Sequence, residues 1–130
     1  MGEIEKMVPK VWGAEKWIVN GDYCGKMLLL VNGFRCSMHY HKEKDETFYL
    51  LNGSVLMEVE DEHYIMKPGQ TQLILPRQRH RFTGLEDSRL LEFSTHHTDE
   101  DSYREEISGQ VDLNKLMTDF GYKWDGGILE

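Results

Sequence analysis

The amino-acid sequence predicts an all-β fold, an antiparallel barrel or sandwich, on two observations. Nine short runs rich in β-branched, aromatic and leucine residues lie at roughly 11–19, 23–31, 35–41, 46–51, 54–60, 63–67, 71–75, 79–83 and 88–95, with no helical period between them. Turn chemistry separates these runs. Asn20-Gly21, Asn32-Gly33 and Asn52-Gly53 tolerate the positive φ angles of tight hairpin turns, Pro68-Gly69 supplies another turn, and Asp61-Glu62 a further one.

Beyond Thr95 the chain becomes polar and irregular. Leu113, Leu116, Met117 and Phe120 then fall at i, i+3, i+4 and i+7, the stripe of a short amphipathic helix, and Gly121 suits its C-terminal stop. Such a helix is expected to pack on its own barrel or on a partner subunit. At 130 residues there is room for one core, so a single domain over 1–130 is expected, with a C-terminal extension from about residue 105. Trp12, Trp17 and Tyr23 are read as mostly core.

Charge and composition narrow the function. A formal net charge of −8 argues against a binder of phosphate backbones. The basic island Arg77-Gln78-Arg79-His80-Arg81 is read either as a solvated turn or as a lure for an anionic substrate. No apolar run approaches the length that spans a bilayer, and the opening MGEIEKMVPK lacks the apolar centre of a secretion signal. Lys6 stands where a myristoylation site takes Ser or Thr. The expectation is a cytoplasmic protein that engages neither nucleic acid nor membrane. Cys24 and Cys36, both inside predicted strands, are read as reduced buried thiols rather than a disulfide.

The chemistry concentrates in the run 35–41. Strand alternation places Ser37, His39 and His41 on one face and Cys36, Met38 and Tyr40 on the other. Two imidazoles at i and i+2 can therefore converge on one ion. Glu46 opens the next strand after the polar loop 42–45 and can return a carboxylate towards that ion. His80, at a turn ahead of Arg81-Phe82, can bring a fourth ligand from a distant strand. Imidazole nitrogens with one carboxylate suit one divalent ion of Zn, Mn, Fe, Ni or Co.

These residues carry a resemblance. Gly33, five residues, His39-Tyr40-His41, four residues, Glu46, six residues and Gly53 resemble the first motif of the cupin superfamily at every fixed position. Gly69 and His80, eleven residues apart, match the spacing of its second motif. That motif's interior differs: Pro76 is displaced by one, Arg77 stands where a turn glycine would be, and Gly84 where an asparagine would be. The fifteen residues 54–68 between the motifs resemble the compact bacterial and archaeal cupins. The resemblance implies an antiparallel jelly-roll β-barrel, a metal held by His39, His41, Glu46 and His80, and a homodimer.

A narrower likeness concerns Val11-Trp12-Gly13, Lys26 and the run 36–41, with Leu91-Glu92-Phe93 and Asp99-Glu100-Asp101 followed by Arg104. This set is similar to the C-terminal cupin domain of mannose-6-phosphate isomerase/GDP-mannose pyrophosphorylases. Cupin-type sugar isomerases such as D-lyxose isomerase, and the archaeal-type glucose-6-phosphate isomerases, point the same way. The likeness implies a metal-dependent isomerase of a sugar or sugar phosphate, aldose to ketose, through enediol-type proton transfer. An Fe-dependent dioxygenase and a non-catalytic metal- or sugar-binding module stand as alternatives.

Within that chemistry Glu92, which shares strand parity with Leu90 and Ser94, is the expected base, or else a surface charge on an edge strand. Failing Glu92, the base is sought at Glu46, His96 or His97, which the sequence does not rank. Lys26 either holds a substrate oxygen or phosphate or points outward. Ser37, Arg81, His96, His97 and Arg104 are the expected substrate contacts, the last three from a polar loop over the barrel mouth. A second metal on that loop is not expected, because adjacent histidines on extended chain point apart.

Overall fold

Alternation of apolar and polar residues, repeated along the runs, builds two facing sheets. The computed structural model describes residues 2–125 and 128–129. In chain order the elements are β1 (Lys6–Lys10), β2 (Gly13–Asn20), β3 (Tyr23–Leu30), β4 (Phe34–Arg35), β5 (His39–Tyr40), β6 (Glu46–Asn52), β7 (Val55–Val59), β8 (Glu62–Met66), β9 (Thr71–Ile74), β10 (His80–Gly84) and β11 (Ser88–Thr95). A 3₁₀ turn at Asp99–Asp101, β12 (Tyr103–Arg104), β13 (Gly109–Gln110), α1 (Leu113–Asp119), β14 (Trp124–Asp125) and β15 (Ile128–Leu129) follow. One sheet runs β1-β2-β3-β11-β6-β9. In the other, β10 pairs with β7 on one side and with β4 and β5 on the other, and β8, β12 and β13 flank them. All pairings are antiparallel, as a jelly-roll barrel requires.

Between the sheets, Leu28, Phe48, Leu50 and Leu90 from one meet Val55, Met57 and Phe82 from the other. Phe82 meets Trp12 edge to face, with ring centroids 5.2 Å apart. The helix predicted at 113–120 forms, with the Asp112 side chain accepting from the backbone N–H of Lys115 at 3.2 Å. It lies on its own barrel: Met117 packs with Leu56 and Leu85. That cover on Leu56, with Arg81 over Glu58, explains why Val55, Leu56, Met57 and Glu58 are buried in succession rather than alternately.

Several sequence expectations change. Of the three Asn-Gly dipeptides, only Asn20-Gly21 closes a hairpin between paired strands, β2 and β3. Asn32-Gly33 and Asn52-Gly53 carry the chain from one sheet to the other, with φ +85° at Gly33 and +96° at Gly53. Positive φ serves a sheet-crossing corner as well as a hairpin. The run 35–41 is not one strand, because residues 36–38 leave the ladder between β4 and β5. Cys36 and Ser37 consequently face the same pocket, against their expected alternation. The edge strand β1 lies outside every predicted run. Its Pro9 and the lysines at both ends hide it, and proline is tolerated there because an edge strand leaves N–H positions unpaired. Tyr23, read as core, is 66% exposed at the end of β3, while Trp12 and Trp17 are buried. Cys24 and Cys36 are free buried thiols, and burial pushes the Cys36 thiol up to about 12. Among the described residues no helix is long and apolar enough to cross a membrane.

Candidate metal centre

His80 heads β10 directly opposite His39 in register. His41 follows β5, and Glu46 opens β6 in the facing sheet. One ring nitrogen from each of His39, His41 and His80 lies within 4.8 Å of the others. Glu46 closes the set: Oε2 lies 3.3 Å from Nε2 of His41 and Oε1 lies 3.5 Å from Nε2 of His80. Each imidazole turns its Nδ1 to a backbone carbonyl: Ser37 at 2.7 Å for His39, Asp101 at 3.0 Å for His41, and Gln78 at 3.0 Å for His80. A carbonyl only accepts, so Nδ1 carries the proton in each ring. The Nε2 lone pair is left for the centre, the arrangement in which outer hydrogen bonds orient metal-ligating histidines.

Electrostatics prepare the same atoms. Burial lowers His41 to about 4 and His39 well below the usual imidazole range, where neighbouring His80 adds to the effect. These rings are therefore neutral at pH 7, as metal ligation needs. Burial alone would raise the Glu46 carboxyl, but His80, Lys44 and His41 hold it ionised, below the usual carboxylate range. Nε2 of His80 and Oε2 of Glu46 are buried without a hydrogen-bond partner. An imidazole nitrogen left without a partner, beside a carboxylate whose nearest cation is the Lys44 ammonium, fits a bound cation. His39, His41, His80 and Glu46 are the residues that would hold it.

Beside this group lies a second, hydrogen-bonded one. The Lys44 ammonium, 3% exposed, donates to Oε2 of Glu92 and to Nδ1 of His97, both at 3.0 Å. It also lies 3.2 Å from Oε2 of Glu46. His97 donates through Nε2 to Asp99 at 2.9 Å, and Ser94 donates to Glu92 at 3.2 Å. Burial raises the Glu92 carboxyl, and the charge on Glu46 adds to this. Lys44 keeps its proton despite burial, because Glu92 and Glu46 flank it. Register explains the layout: Trp17, Lys26, Glu92 and Phe48 form one row across β2, β3, β11 and β6.

These groups open on a cavity of roughly 270 Å³. Ser37, Lys26, Glu92, His97 and Arg104 line it, as does Glu46. Lys26 faces inward, not outward: it is 2% exposed, with its ammonium 3.3 Å from Glu15 and over the Trp17 ring. Two expected substrate contacts lie elsewhere. Arg81 is gripped by both oxygens of Glu58 at 2.9 Å and by Glu106 at 2.7 Å, outside the pocket lining. Exposed His96 donates to the Gly21 carbonyl at 2.7 Å and is also outside it. Sequence reasoning missed Lys44, Glu15 and Asp101. Lys44 had no legible signal, since it stands in the loop ahead of β6, where strand parity does not apply. The role of Asp101, a residue named only within the family likeness, was not legible: its carboxylate accepts from the backbone N–H groups of Lys42, Glu43 and Lys44, nearly sixty positions earlier.

The geometry can be set beside known proteins. A comparison with curated proteins finds no match. Among solved structures, KdgF from Halomonas sp. is similar, with TM-score 0.63 and 21% identity over 67% of this chain and 81% of that one. A sugar phosphate isomerase of the cupin superfamily from Silicibacter pomeroyi gives TM-score 0.63 and 17% identity, covering 72% of each chain. The capsular polysaccharide assembling protein CapF from Staphylococcus aureus gives TM-score 0.72 and 16% identity over 82% of this chain and 34% of that one. At such identities the likeness is one of fold. The family model for the cupin domain matches residues 25–94, the span from β3 to β11 that holds every residue of the His39, His41, Glu46 and His80 set. With its barrel, its motif and its converging histidines accounted for, the chain belongs to the cupin domain family.

Proposed function

We propose that the pocket is the active site of a metal-dependent isomerase that interconverts an aldose and a ketose, as sugar or sugar phosphate. The observation that carries this reading is Glu92. It is a buried carboxylate, one strand from Glu46, opening on the same cavity as the three imidazoles. A divalent ion at those imidazoles and Glu46 would polarise the substrate carbonyl and its neighbouring hydroxyl, making the carbon-bound proton more acidic. Glu92 takes that proton from C2 of the aldose and returns it to C1, while the hydroxyl proton on O2 passes to O1. No electrons enter or leave the substrate.

Burial and the charge of Glu46 raise the proton affinity of Glu92, which brings a carboxylate closer to the range useful at neutral pH. The Lys44 ammonium holds Glu92 in one orientation. The cavity, roughly 270 Å³, falls just under the usual range of about 300–1,000 Å³ for ligand pockets, which suits one sugar unit better than a sugar nucleotide. The similar protein from Silicibacter pomeroyi, described as a sugar phosphate isomerase, adds support.

The test is proton exchange. Metal-loaded protein in D₂O should place deuterium at C1 or C2 of a pentose, hexose or sugar phosphate and consume no oxygen. Glu92→Gln keeps the shape and removes the basicity, so turnover should fall by about 10²-fold or more with metal content unchanged. Substrate-dependent oxygen uptake by the Fe-loaded protein, without exchange, would support a dioxygenase instead. Silence in both assays would support a binding module.

A further inference from the structure

Strand alternation gives the six-stranded sheet a second face. Lys26, Glu46 and Glu92 line the pocket, so the residues next to them in their strands point away from it. Register gathers these outward residues. Tyr49, Leu91, Met27, Lys16 and Met7 stand opposite one another across β6, β11, β3, β2 and β1. Leu73, Thr47 and Phe93 form the next row, across β9, β6 and β11. Most of them are apolar. Met7, Tyr23, Leu51, Leu73 and Phe93 are each between 41% and 66% exposed.

The barrel's other outer face is closed by its own chain, where α1 lays Met117 on Leu56 and Leu85 and all three are buried. Among the described residues the six-stranded sheet has no such cover, as those exposures show. With strands about 4.8 Å apart and about 3.3 Å of rise per residue, its outward face measures roughly 24 Å by 20 Å. Side-chain relief brings that near the roughly 800 Å² that each partner gives to a stable interface. An apolar patch of this extent marks an interaction surface.

Charge selects the occupant. No outward position within these strands carries a carboxylate, although the chain as a whole carries −8. Two copies therefore repel least when they meet through this face. Its only charges, Lys16 and Arg89, make no ion pair among the described residues. Exposed Asp22 and Asp45 stand at the ends of the same strands. A two-fold axis offers the cations of one copy the carboxylates of the other, and a sheet face is by its shape a match for itself.

We propose that the outer face of the six-stranded sheet docks a second copy of this chain, sheet stacked on sheet at about 10 Å across a two-fold axis. Phe93 is the anchor, an aromatic side chain on a central strand with little of its own chain to pack against. Leu91 and Phe93 flank Glu92 in β11 but face the opposite way, so the pairing leaves the pocket open. The docking is independent of the reaction proposed for that pocket.

Sedimentation velocity of the full chain over a range of concentrations reads the assembly directly. At micromolar concentration the wild type should sediment as two chains. Phe93→Glu, and Leu73→Glu on the edge strand β9, each set a carboxylate against the partner from an exposed position. Each should raise the dissociation constant of the dimer by about 30-fold or more, as for an interface anchor. The circular dichroism spectrum and the metal content of both variants should match the wild type, since neither side chain is buried in the single chain. Ile107→Glu, at a position 89% exposed and outside the sheet, should leave the dimer unchanged. A wild type that stays a single chain at high micromolar concentration would overturn the proposal. So would a dimer that survives both sheet substitutions, or one that Ile107→Glu weakens as strongly as they do.

Discussion

Arg77 adopts φ +72°, a left-handed conformation that costs a residue with a side chain about 1–2 kcal/mol. It stands where the second cupin motif has a turn glycine, and the backbone keeps the glycine geometry. The constraint is visible: the Arg77 backbone N–H donates to the His41 carbonyl at 2.6 Å, tying the turn before His80 to the segment of His41. Arg77→Gly retains that bond and relieves the strain, less the extra entropy glycine loses on folding. The variant should be more stable by about 0.5–1 kcal/mol, read as a raised urea midpoint at unchanged slope. A destabilised variant would mean that the side chain contributes more than the turn costs. Gly84, in place of the motif's asparagine, has a different reason. A Cβ there would approach the Val31 carbonyl oxygen to 2.8 Å, so the close passage of β3's end excludes a side chain.

At the scale of elements, the segment after β11 is a strap rather than a loose loop. Its 3₁₀ turn places the Asp101 carboxylate over the backbone N–H groups of residues 42–44, with the closest contact 2.8 Å to Lys42. The Asp101 carbonyl meanwhile fixes the His41 ring. Further along, Glu106 reaches buried Arg81, and Tyr103 stacks on Tyr40 with centroids 5.2 Å apart. One strap thereby orients a ligand and places Lys44 against Glu92. Asp101→Asn replaces one accepting oxygen by a donor among donors. Metal affinity should weaken by about 10- to 100-fold, as for other partners that orient ligands. Competition with a chelating dye measures this well below the unfolding temperature. Unchanged affinity would show that the barrel holds His41 without the strap.

On the scale of the whole molecule, the ligands join the two sheets. Glu46 comes from the six-stranded sheet, and His39 and His80 from the other. A bound ion therefore stabilises their docking by linkage, by about 2.7 kcal/mol at a hundredfold excess over the dissociation constant. Chelation should lower the melting temperature by on the order of 10 °C. His80→Ala should remove that sensitivity. A melting temperature indifferent to chelator in the wild type would argue against a shared ion.

Local spacing was enough for much of this. His39, His41 and Glu46 lie within eight residues, and strand parity plus one turn brings them together wherever the barrel places them. Parity aligned Glu92 with Leu90 but left open an outward charge on an edge strand, which the place of β11 between β3 and β6 excludes, and the 113–120 stripe marked a real helix. Three matters depended on folding: the inward turn of Lys26, the burial of Lys44 and the reach of Asp101. Lys44 meets Glu92 across 48 positions and Asp101 meets residues 42–44 across 57 to 59. Periodicity says which residues share a face of one strand. It is silent on which strands become neighbours, because that choice is made by burial of apolar surface between sheets, through contacts distant in the chain. The same reason explains the Asn-Gly corners, whose φ angles were legible and whose crossing from sheet to sheet was not.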